Sequence, residues 1–239
     1  MKPILEIAVF NIQSAIAAAN AGADRLELCE NPFDGGTTPS FGFLKKVREK
    51  VNIPVFPIIR PHGGDFLYTL DEFEVMIEEI LLCKSLGFEG VVIGLLNSNG
   101  TIDEKRTAAL VALAYPMQVT FHRAFDRCKD PLDAMETIIE CGCHRILTSG
   151  QYPNVMDGKE LVRELVIKAD NRIIILPGSG VRSNNVKELL EFTGAVEAHS
   201  SARKVFPSTM AHVNASMQET LTNTGVDVEE IAKMKKLLG

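Results

Sequence analysis

Residues 4–13 read ILEIAVFNIQ, and this stretch separates two architectures that alternate strands with helices. Its first six residues are apolar except for one glutamate, which is typical of a buried strand. The chain then continues through residues 10–13 without a glycine. A doubly wound sheet usually carries a glycine-rich phosphate turn at this point. The lack of that turn favours a closed barrel over an open sheet.

Short apolar runs of this kind recur along the chain, and the gaps between them hold helix-like segments. The runs cover residues 4–9, 25–30, 55–60, 90–96, 118–123, 145–149, 173–176 and 195–200. Strands that alternate with helices pair in parallel through βαβ crossovers. Eight such units in 239 residues match the usual size of a (β/α)8 TIM barrel, which is an α/β fold.

The chain contains no stretch rich in Gly, Ser or Pro that would divide it into separate units. We therefore expect a single domain over residues 1–239. Residues 203–224 are polar and poorly periodic, and they predict a loop or a short helix near the barrel mouth. A final helix over residues 227–238 is expected to complete the same domain.

Several predicted helices begin with a capping signal. Thr69 and Glu72 have the spacing of a capping box, in which each side chain satisfies a free backbone amide. Asp130 before Pro131 is typical of an N-cap followed by a proline at the first helical position. Ser40 is expected to cap the second helix.

Composition excludes some classes of function. The chain has 25 Lys and Arg against 31 Asp and Glu, a net charge of −6, which argues against binding to nucleic acid. No apolar run approaches the roughly 18 residues of a membrane span, and no signal-peptide pattern follows the start. The five cysteines are odd in number and lack the spacing of a disulfide framework. We expect a cytoplasmic protein with reduced thiols and no membrane partner.

Alternation along the predicted strands places ionisable side chains on the barrel axis. Along each strand, every second side chain is apolar and is expected to pack against the helices. The side chains between them, of the opposite parity, point toward the barrel axis. The inward set is predicted to contain Glu6, Glu27, Cys29, Arg60, His122, Glu197 and His199. Two interpretations follow. The charges form an ion-pair network that fills the barrel, or they form a polar site at the C-terminal mouth.

Loops after the last strands suggest an anion site. Gly178, Ser179 and Gly180 follow the seventh strand, and Ser201 follows the eighth. Glycines allow backbone amides to approach an anion, and this pair of loops is the usual phosphate site of the barrel. The alternative is that the glycines only form a tight turn. Ser149 at the end of the sixth strand offers a further hydroxyl to the mouth.

The cysteines provide weaker signals for a metal. Cys141 and Cys143 form a C-x-C pair, but they lie before the sixth strand, at the opposite end of the barrel from the mouth, so simple packing is favoured. Cys29 is the better candidate metal ligand, because it faces inward close to Glu27. One thiol does not form a complete site, and no zinc-type spacing is present.

Six blocks of the sequence together resemble the CutC family, which is described as a family of copper homeostasis proteins. The blocks are RLELCE, GGTTPS, RPHGGDF, TFHRAFD, RILTSG and HSSAR, and the resemblance extends from Glu6 to about Arg203. It implies a cytosolic (β/α)8 barrel that is often a homodimer and binds copper. It also implies a polar mouth built from Glu6, Glu27, Arg60, His122, Arg123, Asp126, Ser149 and His199, with Cys29 as the thiol.

The sequence departs from the family pattern at two positions. His62 stands where arginine is usual, and Ser179 stands where glycine is commoner. The Cys141–Cys143 pair is not a family motif. At position 62 the expected positive charge is therefore present only when the histidine is protonated. Ser179 adds a hydroxyl to the loop after the seventh strand.

Two functions are therefore expected from the sequence. The first is copper homeostasis through copper binding, with Cys29 as a ligand. The alternative is an isomerase, epimerase or lyase acting on a small anionic metabolite, because carboxylate, imidazole and guanidinium groups suit acid–base and anion chemistry better than Cu(I).

The alternative gives each mouth residue a role. His122 would be the general acid or base, and Glu27 or Glu6 would orient it or share the proton transfer. Arg60 and Arg123 would hold the anionic group, and Asp126 would position Arg123 or His122. No organic cofactor is evident from the sequence. The expected partners are a metal ion or a small anion, together with a second copy of the chain.

Overall fold

The structure is a computed structural model that describes residues 2–239. Eight parallel strands form the barrel: β1 (Ile4–Val9), β2 (Arg25–Leu28), β3 (Val55–Pro57), β4 (Gly90–Ile93), β5 (Gln118–Phe121), β6 (Arg145–Thr148), β7 (Ile174–Pro177) and β8 (Glu197–Ser200). Seven helices follow the first seven strands: α1 (Ile12–Asn20), α2 (Phe41–Lys50), α3 (Leu70–Ser85), α4 (Glu104–Ala114), α5 (Pro131–Glu140), α6 (Lys159–Ala169) and α7 (Val186–Thr193). The predicted (β/α)8 barrel is confirmed.

Hydrogen bonding groups the strands into two parallel halves. One half has the order β3-β2-β1-β8, and the other has the order β4-β5-β6-β7. A single bridge between Ile58 and Val92 joins the halves on one side. On the other side, the Ser200 hydroxyl donates to the Val181 carbonyl at 2.7 Å. Within the described residues, no helix is long and apolar enough to cross a membrane.

The predicted alternation of faces is confirmed in the core. The side chains of one parity are buried between the strands and the helices, and they include Leu5, Ile7, Val9, Leu26, Leu28, Ile59, Val119, Phe121 and Ala198. A smaller apolar cluster lies inside the barrel and contains Cys29, Phe56, Ile58 and Val92. The polar side chains of the opposite parity therefore have to be accommodated on the axis.

Two of the three capping predictions are confirmed. Thr69 and Glu72 form a complete capping box at the start of α3, and Asp130 caps α5 ahead of Pro131. The prediction for Ser40 is wrong, because its side chain makes no cap hydrogen bond. Its hydroxyl donates instead to the Glu30 carboxylate at 3.0 Å, which draws it away from the helix amides.

The prediction of a loop or short helix over residues 203–224 is correct only for the middle of the segment, where a short 3-10 helix covers Ala215–Met217. The segment forms an antiparallel hairpin of β9 (Arg203–Pro207) and β10 (Thr222–Val226), followed by α8 (Val228–Leu238). Cross-strand backbone pairing, rather than side-chain periodicity, holds it together. Asn11 anchors the hairpin base to the barrel by donating to the Thr224 carbonyl at 2.7 Å.

Candidate functional site

A cavity of about 310 Å³ opens at the C-terminal ends of the strands. This volume lies at the lower end of the roughly 300–1,000 Å³ of small-molecule sites. The predicted site residues that line it are Glu27, Arg60, His122, Arg123, Asp126, Ser179, Gly180, His199 and Ser201. Glu6, Ser149 and Gly178 support the site from behind its wall. The fold therefore brings most of the predicted set to one place.

Below the cavity, a layer of buried ion pairs crosses the barrel axis. Arg25 bonds Glu6 through Nε and Glu197 through Nη2, the latter at 2.5 Å. Arg145 bonds the same carboxylate, with its Nε 3.0 Å from Glu197 Oε2. Both guanidiniums lie over the Phe56 ring, at 5.1 and 5.5 Å from its centroid. The ion-pair interpretation therefore holds for this layer, including Glu6 and Glu197.

His199 connects that layer to the cavity. Its Nδ1 lies 2.7 Å from Glu6 Oε1, and its Nε2 lies 3.8 Å from Glu27 Oε2. Burial raises the pKa of Glu6, but Arg25 and His199 outweigh burial and lower this pKa to about 2. Burial also opposes protonation of His199, yet the hydrogen bond to Glu6 and the nearby carboxylates raise its pKa. The contact therefore favours the ionised form of Glu6 together with the protonated form of His199.

Of the two carboxyl groups next to His199, Glu27 is the one that faces the cavity. Burial raises its pKa, and the charge of Glu6 acts in the same direction, while protonated His199 opposes them. A carboxyl group with a raised pKa beside a proton-bearing imidazole is suited to proton transfer near neutral pH. The arrangement gives the two glutamates different roles: Glu6 fixes His199, and Glu27 faces whatever enters.

His122 lies at the end of β5 and is held in one tautomer. The Ala124 amide donates to His122 Nδ1 at 3.1 Å, so the ring hydrogen resides on Nε2. Burial, assisted by the charge of Arg60, lowers the pKa of the imidazole to about 3. The buried Nε2 has no hydrogen-bond partner within the described residues. His122 therefore presents a neutral N–H donor to the cavity.

The ring of His122 is fixed by close packing. It packs against the Phe66 ring at a tilt of 49°, with the ring centroids 4.9 Å apart. On its other side lies Gly94, where a Cβ atom would collide with the imidazole. Glycine at this position after β4 makes room for the ring, a requirement that the sequence did not reveal.

Arg60 lies just beyond the end of β3, and no carboxylate of residues 2–239 forms an ion pair with it. Its Nη1 donates to the carbonyls of Asp34 at 2.6 Å and Gly36 at 2.8 Å, and its Nη2 donates to that of Gly64 at 3.2 Å. The guanidinium lies 4.8 Å from the Phe66 centroid. Its buried Nε has no partner in the described part of the chain. Backbone carbonyls thus aim the group without neutralising it.

Further arginines surround the mouth. Arg203 lies over Phe10 at 5.1 Å and donates to the Pro32 carbonyl at 3.2 Å, but its buried Nε is unpartnered among residues 2–239. Arg182 and Arg127 also line the cavity, and sequence reasoning did not select either. Arg182 follows β7 and Arg127 follows β5, each by several residues, so the alternation along a strand could not predict where they point.

The loop after β7 adds backbone donors to the cavity wall. Ser179 and Gly180 both have positive φ angles, 78° and 81°. A side chain at Gly180 would collide with Asn154, which explains the glycine. The Ser179 hydroxyl already donates to the Pro153 carbonyl at 2.7 Å, so its amide is the group left for a ligand. Ser201 contributes to the same wall.

Asp126 organises the loops rather than standing free in the cavity. It accepts hydrogen bonds from the Ser149 amide at 3.0 Å and the Gln151 amide at 3.1 Å, and it pairs with Arg123 Nε at 2.7 Å. The Ser149 hydroxyl is fully buried and donates to the Tyr152 carbonyl at 2.5 Å. Asp126 and Ser149 together fix the orientation of Arg123.

Gly178 also acts through packing. A Cβ atom there would lie 2.6 Å from Leu147 and 3.2 Å from the His199 ring. Its amide donates to the Thr148 carbonyl at 2.9 Å. The residue therefore lets β7 approach β8, behind the wall to which Ser179 and Gly180 contribute.

The donor groups of the described residues do not fit a copper ion. No group of three or more His, Cys, Asp or Glu side chains is arranged there to hold a metal. Cys29 is buried beside Glu27, and burial followed by the Glu27 charge raises its thiol pKa well above the usual value. Cu(I) prefers thiolates. Cys141 and Cys143 are buried at the other end of the barrel, where burial raises their pKa values as well.

Comparison with known proteins agrees with the resemblance carried by the six sequence blocks. The sequence profile of the CutC family matches residues 3–204. A CutC protein of Chromobacterium violaceum is 47% identical over 212 residues, which are 89% of this chain and 86% of that relative. Another from Salmonella heidelberg strain SL476 is 42% identical over 242 residues, covering 98% of this chain and 97% of the relative.

The fold comparison gives the same answer. CutC from Streptococcus agalactiae, a protein whose name links it to copper homeostasis, has a crystal structure that superposes with a TM-score of 0.79. The two chains are 32% identical, and the match covers 83% of this chain and 98% of the other. With the profile match, the sequence relatives and the shared barrel, the chain belongs to the CutC family.

Proposed function

We propose that the mouth cavity binds a small anionic metabolite and transfers protons on it. The observation that carries this proposal is a set of three buried N–H groups on the cavity wall without partners among the described residues: Arg60 Nε, His122 Nε2 and Arg203 Nε. A buried donor left without an acceptor costs about 1–3 kcal/mol. A ligand rich in oxygen atoms would satisfy all three groups.

The charge around the cavity supports an anion. The guanidiniums on its wall belong to Arg60, Arg123, Arg127, Arg182 and Arg203. Among residues 2–239, only Arg123 of this set forms an ion pair with a carboxylate, that of Asp126. The carboxylates of Glu27 and Asp34 share the wall. The positive groups outnumber the negative ones, so a carboxylate or phosphate would complete the balance.

The groups suited to chemistry lie on the same wall. Glu27 would give and take the proton, with His199 and Glu6 setting its surroundings, and His122 would hold a developing negative charge. These are the parts of isomerase, epimerase or lyase chemistry on a small molecule. The proposed role of His122 is narrower than general acid–base catalysis, because its pKa is lowered to about 3.

A thermal-shift screen with carboxylate- and phosphate-bearing metabolites tests the binding. We expect some of these compounds to raise the melting temperature, and Arg203→Met to remove most of the rise. Arg163→Met is the matched control. Arg163 lies over Phe192 at 5.4 Å on an outer helix, much as Arg203 lies over Phe10. The proposal fails if no anion stabilises the protein, or if both variants respond alike.

Copper binding is a second candidate, supported by kinship with a CutC protein whose name links it to copper homeostasis. Cys29 is the residue on which it would depend, and its protonated, buried thiol weighs against it. Competition of the protein with a Cu(I) chelator tests the idea. Tight binding that is lost in Cys29→Ser would support it, whereas no competition, or equal binding by Cys29→Ser, would remove Cys29 from the account.

A cytoplasmic location and a homodimer stay predictions. The five free cysteines, all buried, agree with a reducing compartment. Exposed apolar side chains on the hairpin of β9 and β10, including Val205, Met210 and Val213, agree with a second copy packing there. Cell fractionation tests the location, and light scattering tests the oligomeric state.

A further inference from the structure

We propose that the substrate is an α-hydroxy carbonyl compound with a phosphate or carboxylate at its other end, and that the reaction proceeds by enolisation. This inference rests on the proposed function and specifies its substrate class. It follows from the placement of two groups in the cavity: a carboxyl group that can move a proton, and a neutral N–H that cannot be a base. Their combination is suited to removing a proton beside a carbonyl group.

The role of His122 follows from its hydrogen bonds. Its Nδ1 is occupied by the Ala124 amide, and its Nε2–H is buried with no acceptor among the described residues. A group held in this way donates one hydrogen bond to a fixed point. Stabilisation of a developing oxyanion requires such a preorganised donor. A phosphate alone would be served as well by an arginine, so the neutral donor points to an oxygen that becomes charged during the reaction.

Glu27 faces His122 from another part of the barrel. Glu27 lies on β2 and His122 directly follows β5, and both line the same cavity. Two strands, β3 and β4, separate them on one side of the barrel. A small molecule bound between them would therefore present one carbon to the carboxylate and its carbonyl oxygen to the imidazole.

The chemical step balances without any further reactant. The Glu27 carboxylate takes the proton from the carbon beside the carbonyl group. The electrons of that C–H bond form the C=C bond, and the carbonyl π electrons move to the oxygen, which the His122 Nε2–H stabilises. Return of the proton from Glu27 to the enol carbon restores the carbonyl group. No electron is gained or lost, so neither an oxidant nor a reductant is needed.

The opposite end of the substrate has its own donors. The amides of Ser179 and Gly180, the Ser201 region and the Arg203 Nε lie on the β7 and β8 side of the cavity. Such loops suit a phosphate or a carboxylate. An anionic group held there would fix the distance between the carbonyl carbon and Glu27. The negative charge of the substrate would therefore contribute to substrate specificity.

Deuterium exchange tests the inference directly. The full-length protein is incubated in D2O with dihydroxyacetone phosphate, ribulose 5-phosphate or hydroxypyruvate, and loss of the proton beside the carbonyl group is followed by NMR. We expect exchange above the protein-free rate for at least one compound. Glu27→Gln should slow it by about 100-fold or more, the range for loss of a general base. His122→Leu should lower it by a similar factor.

Controls separate this inference from the proposed function. Glu136→Gln alters an exposed ion pair with Arg172 and should exchange like the wild type. Thermal shifts with the same three compounds show whether each variant still folds and binds. If a compound binds but no exchange occurs, enolisation is overturned and anion binding stays in place. The same conclusion follows if exchange persists in both Glu27→Gln and His122→Leu. If the wider anion screen gives no binding at all, the proposed function fails and this inference fails with it.

Discussion

The barrel contains two layers of charged side chains, which differ in how completely their charged groups are paired and hydrogen-bonded. In the axis layer, the guanidiniums of Arg25 and Arg145 are paired with the carboxylates of Glu6 and Glu197. In the mouth layer, Arg60 and Arg203 lack carboxylate partners in the described chain, and each keeps an unpartnered Nε. The difference shows that ionisable residues inside a barrel indicate a ligand site only where their bonds are incomplete.

The contrast has a physical basis. Burying a charge is tolerated when partners replace its hydration, and a network that supplies every partner is then part of the fold. A site that binds a ligand must withhold some of those bonds, at a cost in stability. His199 marks the boundary, because one nitrogen faces Glu6 and the other faces Glu27.

The largest expected effect is the loss of Arg25. Arg25→Met leaves Glu6 without its guanidinium and Glu197 with Arg145 alone, and removing one partner of a buried ion pair typically costs about 3–5 kcal/mol. Chemical denaturation measures the change. Arg172→Met is the control, because Arg172 pairs with Glu136 at the surface, where little change is expected. Equal effects of the two changes would contradict a structural role for the axis layer.

Acid should weaken the axis layer in a defined pH range. The pKa of Glu6 is lowered from 4.5 to about 2, so the folded protein binds its proton less readily than the unfolded chain does. Its contribution to stability is present above about pH 4.5 and is lost as the pH falls toward 2. The free energy of unfolding, measured in urea across this range, should fall more steeply for the wild type than for Glu6→Gln. Parallel slopes would show that Glu6 does not titrate in this way.

A change beside the mouth should cost less. In Gly94→Ala the new methyl group meets the His122 ring, and overpacking of this kind typically costs about 1–3 kcal/mol. We expect the stabilisation by anions in the thermal-shift screen to decline more than the stability itself, since the ring is displaced. Gly42→Ala, where a Cβ meets nothing within 4 Å, serves as the control. Full ligand response in Gly94→Ala would argue against a fixed donor at His122.

The smallest effect on stability is expected at Glu27. Its raised pKa means that the ionised carboxyl group is disfavoured by folding, so a neutral amide in Glu27→Gln should not destabilise the protein at pH 8. Urea denaturation at this pH measures the change beside the activity tests. A loss as large as that of Arg25→Met would place Glu27 in the structural network and remove the contrast between the layers.

Part of this contrast could be predicted from the sequence. The alternation of Glu6, Glu27 and His199 with apolar residues correctly placed these side chains inside the barrel. Arg25 and Arg145 were missed because each begins its strand, where an arginine resembles a solvated flanking residue. Strand parity shows which way a side chain points, but it does not show what that side chain bonds.

The remaining features depend on tertiary contacts. The hairpin of β9 and β10 has little side-chain periodicity, and Ser40 was diverted from its cap by Glu30. The unpartnered Nε2 of His122 exists only because the Ala124 amide occupies the other nitrogen. No pattern in a single sequence shows which donor of a buried group is left free.

The mouth keeps N–H donors free for an anion, and the Nε2–H of His122 is the donor that can be observed by itself. A ¹⁵N–¹H correlation spectrum of the histidine rings, recorded from about pH 5 to 8 with and without 2-phosphoglycolate, is the decisive measurement. We predict a neutral His122 with its hydrogen on Nε2 throughout, and an Nε2–H resonance that moves as the anion binds. A His122 that titrates near pH 6.5, or a resonance that saturating anion leaves unchanged, would contradict the account.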